Sequence, residues 1–297
     1  MISLWQTSRD HDIIPACLSQ FRRCSALLGA VAFDLDDTLL RDDLSISDRT
    51  VAVMRHLRRC GVHILPASGR ALESMRPFVE RLDCASLVVA CNGAEIYSPS
   101  LELIYGARMD EATALEVTAF GRENGMYMQT YEGDFFYYNE QSRWADSYAR
   151  ASMLRGRLVE DLDAFLIRHP TSKILMMGPE ETITRMREEG QERFRSRLSV
   201  TTSKPYFLEF NPVEATKGNA MDICSDILHF SMDQLVAYGD SLNDVSMLLR
   251  AGTGVAVANG REDVKKQVSR IAPGNQEDGV ARDLMEHYPE FFQGVVL

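Results

Sequence analysis

Three carboxylates fall within four residues, Asp34, Asp36 and Asp37, directly behind the apolar run "AVAF". Ionised carboxylates this close repel one another, and each is costly to remove from water. A fold that keeps them needs an offset: a metal, basic side chains or solvent. A second acidic group, Asp240, Ser241, Asn243 and Asp244, follows the apolar run "QLVAYG". "PASGR" supplies Ser68, Gly69 and Arg70, "CNGA" supplies Asn92 and Gly93, and "TKG" supplies Lys217. Together these groups suit phosphoryl transfer. A hard divalent cation such as Mg²⁺ takes carboxylate, carbonyl and water oxygens, and Asp34 with Asp240 can supply two of them. The cation would neutralise the acid cluster and polarise a phosphate oxygen. A carboxylate near phosphorus could attack it, giving an aspartyl-phosphate that water later hydrolyses. A second acid two residues along can protonate the departing oxygen and then deprotonate water. Ser68 and Lys217 would hold the charge that spreads over the equatorial oxygens.

Those residues sit where predicted strands end or helices begin. "AVAF" is a continuous apolar run, as expected of a strand buried on both faces. "SISDRTVAVMRHLRRCG" reads as a helix, with Ser45 and Asp48 at capping-box spacing and Gly61 as a stop. "VHILPA" and "SLVVA" read as strands two and three, separated by the helix "ALESMRPFVERL" with a kink at Pro77. The same alternation returns near the C-terminus: helix "KGNAMDICSDILHF", strand "QLVAYG", helix "NDVSMLLRAG", strand "TGVAVA", helix "REDVKKQV". Strands alternating with helices indicate βαβ units and a parallel sheet, and open α/β sheets bind ligands outside the carboxyl ends of their strands. From Ile96 to Asn211 the texture changes to aromatic-rich, with "MYMQTYEGDFFYYN" resembling a hairpin around Gly133 and Asp134. The expected organisation is an N-terminal extension (1–28), a discontinuous Rossmann-like α/β core (29–96 and 211–297) and an inserted α+β domain (97–210). Residues 15–28 carry a short amphipathic pattern and no assignable role.

The bulk numbers set bounds. The 297 residues are 45% hydrophobic and 25% charged, as in soluble globular proteins. A formal net charge of -11 argues against general nucleic-acid binding, which needs a basic face, but leaves room for a phosphorylated metabolite beside a metal. The six cysteines are scattered, without CxxC or zinc-like spacing. No apolar run approaches the roughly 18 residues of a membrane span, and Asp10 and Asp12 interrupt any signal-peptide layout. These features predict a cytoplasmic protein with no nucleic-acid or membrane partner; protein partners are not readable.

A family resemblance now becomes specific. "DLDDT" (Asp34 to Thr38), Ser68 in "SGR", Lys217 in "TKG" and "GDSLND" resemble, in order, the four motifs of haloacid dehalogenase-like (HAD) phosphohydrolases. "CNGAEIY" and "NQEDGVA" look like the Cof-type branch, subfamily IIB. The resemblance spans about residues 29 to 290. It implies Asp34 as nucleophile and Mg²⁺ ligand, and Asp36 as general acid/base with its carbonyl on the metal. Thr38 would support the loop, and Ser68 would bind phosphate in a slot where many relatives have Thr. Lys217 would bridge phosphate and nucleophile, and Asp240 would ligate Mg²⁺. Asn243 would sit on the phosphate, with Asp244 in support. The insert would be a cap, since it lies between the second and third motifs.

Plainer readings stand beside these. Ser68 can be a helix N-cap for "ALESM", Arg70 a pocket cation or a salt-bridged surface residue, and Asn92–Gly93 a turn. Asn275 and Asp278 read as an N-cap and turn set. The aromatics Tyr127, Tyr131, Phe135 to Tyr138 and Trp144 read as cap core or hairpin pairs before substrate stackers. The activity implied is a Mg²⁺-dependent phosphatase acting on a small phosphorylated metabolite. A phosphomutase, a dedicated sugar-phosphate phosphatase and a non-catalytic binder on the same core are the alternatives.

Overall fold

The computed structural model describes residues 28–133 and 135–295, so the sequence readings over residues 1–27 and at Asp134 lie outside it. The chain opens with β1 (Ala30–Phe33), α1 (Asp48–Arg59), β2 (His63–Pro66), α2 (Leu72–Leu82) and β3 (Val88–Ala90). A hairpin of β4 (Glu95–Tyr97) and β5 (Leu103–Gly106) follows. The insert contains α3 (Glu111–Glu123), β6 (Tyr127–Glu132), β7 (Phe135–Tyr138), α4 (Arg143–Ser152) and β8 (Arg155–Leu158). It continues through α5 (Leu162–Arg168), β9 (Ile174–Met177), α6 (Glu180–Phe194), β10 (Leu198–Thr201) and β11 (Phe207–Pro212). The chain returns through α7 (Lys217–Leu228), β12 (Leu235–Gly239), α8 (Val245–Arg250), β13 (Thr253–Val257), α9 (Glu262–Lys265), β14 (Arg270–Ala272) and α10 (Gly279–His287).

The core sheet is parallel throughout, in the order β14-β13-β12-β1-β2. Alternation along its strands sorts side chains by size. Val31, Phe33, Val236, Tyr238, Val255 and Val257 face α1, α2 and α10, where large groups fill the gap. Ala30, Ala32, Ala237 and Ala256 face α7 and α8. Their small side chains let those two helices, which begin at the site, lie close to the sheet.

The structure departs from the sequence reading in four places. Ser47, not Ser45, caps α1, accepting from the Thr50 amide at 3.0 Å. β3 pairs antiparallel with β4 and meets the main sheet through a single parallel bridge, Ala67 to Val89. β14 and α10 have no counterpart in the sequence reading, because both follow a polar stretch without clear periodicity. The insert, expected over 97–210, is also bounded differently by pairing. β5 joins β4 on the core side, while β11 carries the insert's sheet on to Pro212.

That second sheet runs in the order β10-β11-β9-β6-β7-β8. Ile174 and Met176 pack under α3, α5 and α6, with Phe120, Phe194 and Phe210 in mutual edge contacts. Leu175 and Met177, one residue out of phase, pack on the other face with Tyr127, Phe136, Tyr138 and Tyr148, and with Ala71, Cys91 and Ala215 of the core. Most of the aromatics singled out in the sequence thus belong to this packing. The insert covers the carboxyl end of the core sheet.

Candidate active site

Strand register brings the acids together. β1 and β12 are neighbours with Phe33 opposite Tyr238, and the Asp34 amide donates to the Tyr238 carbonyl at 3.0 Å. Asp34 and Asp240 therefore leave the sheet side by side. The turn after β1 passes through Asp37 in the left-handed region and places Thr38 Oγ1 2.9 Å from Asp240 Oδ1, which accepts from it. Gly239 is required by packing, because a Cβ there would lie 2.4 Å from the Cβ of Asp244. Thr216 caps α7 through the Asn219 amide at 3.1 Å, setting Lys217 in the first turn.

Lys217 is wholly buried and donates to Asp34 Oδ1 and, at 2.6 Å, to Asp244 Oδ1. Asp244 Oδ2 accepts from the amides of Asp240 and Ser241 at 3.0 Å each, so both Asp244 oxygens help to hold the loop and Lys217. Asp34, Asp240 and Asp244 nevertheless bring carboxylate oxygens within 4.8 Å of one another, all buried, with one ammonium among them. The deficit makes the acids hold their protons more tightly. Burial pushes the Asp34 carboxyl up to about 8; Lys217 opposes this, while Asp244 and Asp36 add to it. Asp240 is raised well above the ordinary value by burial, then by Asp244 and Asp34. Burial works against the Lys217 charge, but the two carboxylates outweigh it and raise its pKa. Hard oxygen donors short of positive charge are a donor set that fits a divalent cation.

Asp36 is held differently. Arg70 grips it with a fork, Nε to Oδ2 and Nη2 to Oδ1, both 2.7 Å. Burial disfavours the Asp36 charge, but Arg70 wins and keeps the pKa below the ordinary carboxylate value. The third arm of Arg70 donates to Ser74 Oγ at 2.7 Å, and Ser74 donates in turn to the Ser152 carbonyl at the end of α4 at 2.6 Å. Arg70 is thus engaged within the site and is no surface cation. Ser68 is buried and accepts from the Arg70 amide at 3.1 Å; α2 begins after Ala71 without a side-chain cap, so Ser68 does not cap it.

Asp34, Asp36, Ser68, Gly69, Arg70, Asp240 and Asn243 all border one cavity of about 290 Å³. Thr38, Lys217, Asp244 and Asn92 lie behind its wall. Asn92 accepts from Asn243 Nδ2 at 3.0 Å and donates to Glu209 and Asn211. Gly93 has a packing role: φ is +97°, and a Cβ would lie 2.4 Å from the Thr216 carbonyl, so glycine lets the start of α7 approach. Asn275 and Asp278 lie off the cavity, donating to the Leu40 carbonyl and accepting from Arg41 respectively.

The insert completes the enclosure with residues the sequence reading did not single out. Lys173 Nζ donates to the Gly69 carbonyl at 2.5 Å and to Glu209 Oε1 at 2.9 Å. Lys204 donates to Asp37 Oδ2 at 2.5 Å, and Tyr148, Tyr206 and Phe207 line the wall. A charged residue inside the apolar "YFLEFNP" was the one available signal for Glu209, since such an acid needs a buried partner.

A family model described as haloacid dehalogenase-like hydrolase matches residues 31–284. The chain belongs to the haloacid dehalogenase-like hydrolases. It is 29% identical over 254 residues to the 5-amino-6-(5-phospho-D-ribitylamino)uracil phosphatase YcsE of Bacillus subtilis, covering 85% of this chain and 92% of that one. It is 26% identical over 281 residues to the phosphatase YwpJ of the same organism, covering 86% and 98%. A solved haloacid dehalogenase-like hydrolase from Bacteroides thetaiotaomicron is 26% identical and superposes with a TM-score of 0.77 over 88% of this chain and 99% of that one. This HAD-like hydrolase is a phosphatase of the Cof-type branch that its motifs resemble. No helix among its described residues is long and apolar enough to cross a membrane.

Proposed function

We propose that the protein hydrolyses a small phosphorylated metabolite in the cytoplasm, in two steps through an aspartyl-phosphate. The observation that carries this reading is the placement of Lys217 between Asp34 and Asp244 beneath a cavity bordered by Asp36 and Ser68. In the first step an Asp34 oxygen attacks phosphorus, the bond to the leaving oxygen breaks, and Asp36 gives that oxygen its proton. In the second, Asp36 takes a proton from water as the water attacks phosphorus, releasing phosphate and restoring Asp34. Lys217, Ser68 and Asn243 would steady the phosphoryl oxygens. The fork from Arg70 keeps Asp36 ionised, the form needed for the second step, so it has to loosen before the first.

Asp34 and Asp240, with the Asp36 carbonyl, would hold Mg²⁺; when bound it supplies charge neutralisation and polarisation of a phosphate oxygen. The named activity of the aminouracil-phosphate relative supports a small phosphorylated substrate. The test is phosphate release from a panel of phosphorylated metabolites, with Mg²⁺ and with chelator. Metal-dependent release by the wild type, lost about a thousandfold in Asp34→Asn, supports the reading; full activity in Asp34→Asn overturns it. Phosphoryl return to a sugar instead of water would identify a mutase.

A further inference from the structure

A run of side-chain amides joins the cap to the cavity floor. Asn92, Asn211 and Asn243 are all buried, as is Glu209 of the cap strand β11. Asn92 Nδ2 donates to Glu209 Oε2 at 3.0 Å and to Asn211 Oδ1 at 3.1 Å, and Asn92 Oδ1 accepts from Asn243 Nδ2 at 3.0 Å. Asn211 in turn donates to the carbonyls of Cys91 and Ser172 at 3.0 and 2.8 Å. The Asn92 backbone amide donates to the Ser68 carbonyl at 3.0 Å, which ties the same turn to the loop carrying Ser68. That turn is held under strain. Cys91, Asn92 and Gly93 follow one another with φ of +49°, +58° and +97°, a left-handed run that disfavours side chains and that folds keep mainly at working sites.

The outer partners fix which way each amide points. An ionised carboxylate and a backbone carbonyl can only accept. Two carbonyls hold the Asn211 nitrogen, so its oxygen faces Asn92. That oxygen and Glu209 both need the Asn92 nitrogen, so the Asn92 oxygen faces Asn243. Turning the Asn243 amide over would set two oxygens against each other and lose a buried hydrogen bond. The Asn243 nitrogen is therefore held toward Asn92, with one N–H used there and the second left for the cavity that Asn243 borders. The opposite end shows the cost. Among the described residues, Asn243 Oδ1 is buried with no hydrogen-bond partner, a rare condition that calls for a reason. A donor fixed in place for a phosphoryl oxygen supplies one.

We propose that Asn92 is a positioning residue that senses the seated cap through Glu209 and holds the Asn243 amide with its nitrogen toward the substrate phosphate. This rests on the phosphatase reading above and adds how the cap acts on phosphate binding. The test measures inhibition of p-nitrophenyl phosphate hydrolysis by inorganic phosphate. Asn92→Gly removes the amide and keeps a residue that suits the left-handed backbone. It should raise the inhibition constant about tenfold and leave kcat within about threefold, the pattern of lost ground-state binding. Asn243→Ala should give the same rise, and the double variant should rise no further than Asn243→Ala alone. Glu209→Gln, which can turn either end of its amide to Asn92, should raise the constant about threefold in the wild type and not at all beside Asn92→Gly. If Asn92→Gly does not fold, Glu209→Gln with and without Asn243→Ala carries the same comparison. An inhibition constant unmoved by Asn92→Gly or by Asn243→Ala, or effects of the two that simply multiply, overturns this role and leaves the phosphatase reading standing. Loss of kcat in Asn92→Gly with the inhibition constant unchanged does the same. Failure of folded wild type to hydrolyse p-nitrophenyl phosphate overturns the phosphatase reading and this inference with it.

Discussion

Lys217 and Lys173 are both buried and both held by carboxylates, one in the core beneath the cavity floor and one in the cap wall. Lys217 has Asp34 and Asp244, and all three residues come from the carboxyl end of one sheet or from the first turn of a helix beside it. Lys173 has a single carboxylate, Glu209 on the neighbouring cap strand, and reaches across to a core carbonyl at Gly69. The first lysine shares its charge with an acid cluster that stays short of positive charge, as the proposed metal and phosphate site requires. The second is closely balanced, and joins cap to core while presenting a donor and an acceptor. Similar pairs thus sit at the proposed reaction centre in one region and at the junction of cap and core in the other.

The largest effect that sharpens this contrast belongs to the floor. Asp36→Asn should lower kcat on an alkyl phosphate by about 10²–10⁴-fold, and much less on p-nitrophenyl phosphate, whose phenolate departs without a proton. Equal losses on the two substrates would remove Asp36 from the acid role. Next come the lysines themselves. Lys217→Met and Lys173→Met should each destabilise the protein by about 3–5 kcal/mol in urea unfolding, because each strands a buried carboxylate. Lys217→Met should also cost kcat about a hundredfold or more, whereas Lys173→Met should act mainly on KM. An equal kcat loss in both would erase the distinction between floor and wall.

A smaller effect is expected from pH. The Asp34 carboxyl ionises near 8 in the metal-free fold and near 3.8 when unfolded. The folded state therefore binds more protons across that window, and this group's contribution to stability is lost as pH rises through it. A bound cation replaces the proton, so the rise in Tm on adding Mg²⁺ should be larger at pH 8 than at pH 6. A rise that shrinks with increasing pH would contradict the acid cluster as the metal site. The smallest effect is a control outside both regions. Ser47→Ala should cost about 1 kcal/mol through loss of the α1 cap and leave kcat within about twofold.

Legibility followed distance along the chain. Asp34, Ser68, Asn92 and Asp240 each follow a short apolar run, so a parallel-sheet reading places them at one edge without knowing any contact. The Asp36–Arg70 fork was half visible: both residues were singled out, but their pairing spans 34 positions and depends on how two loops fold back. Lys173 and Glu209 escaped notice because each looks like a polar end or interruption of a strand, and a partner 36 positions away has no periodic signature. The Ser45-for-Ser47 error is local. Both serines precede the helix, and the Asp43 side chain occupies the Ser45 amide at 2.9 Å.

By itself the sequence carried the alternation of core strands and helices as far as α9, the change of texture at the insert, and the acids, lysine and serine that follow core strands or open a core helix. Those features depend on local patterns, apolar runs and short motifs, that one stretch of chain contains in full. Only the tertiary structure decided which carboxylates stay short of charge, that Arg70 holds Asp36, that Gly93 serves packing, and that an aromatic wall with one ion pair faces the floor. Each of these is a balance between burial and a partner brought in from elsewhere in the chain, and that balance exists only once the two parts are packed together.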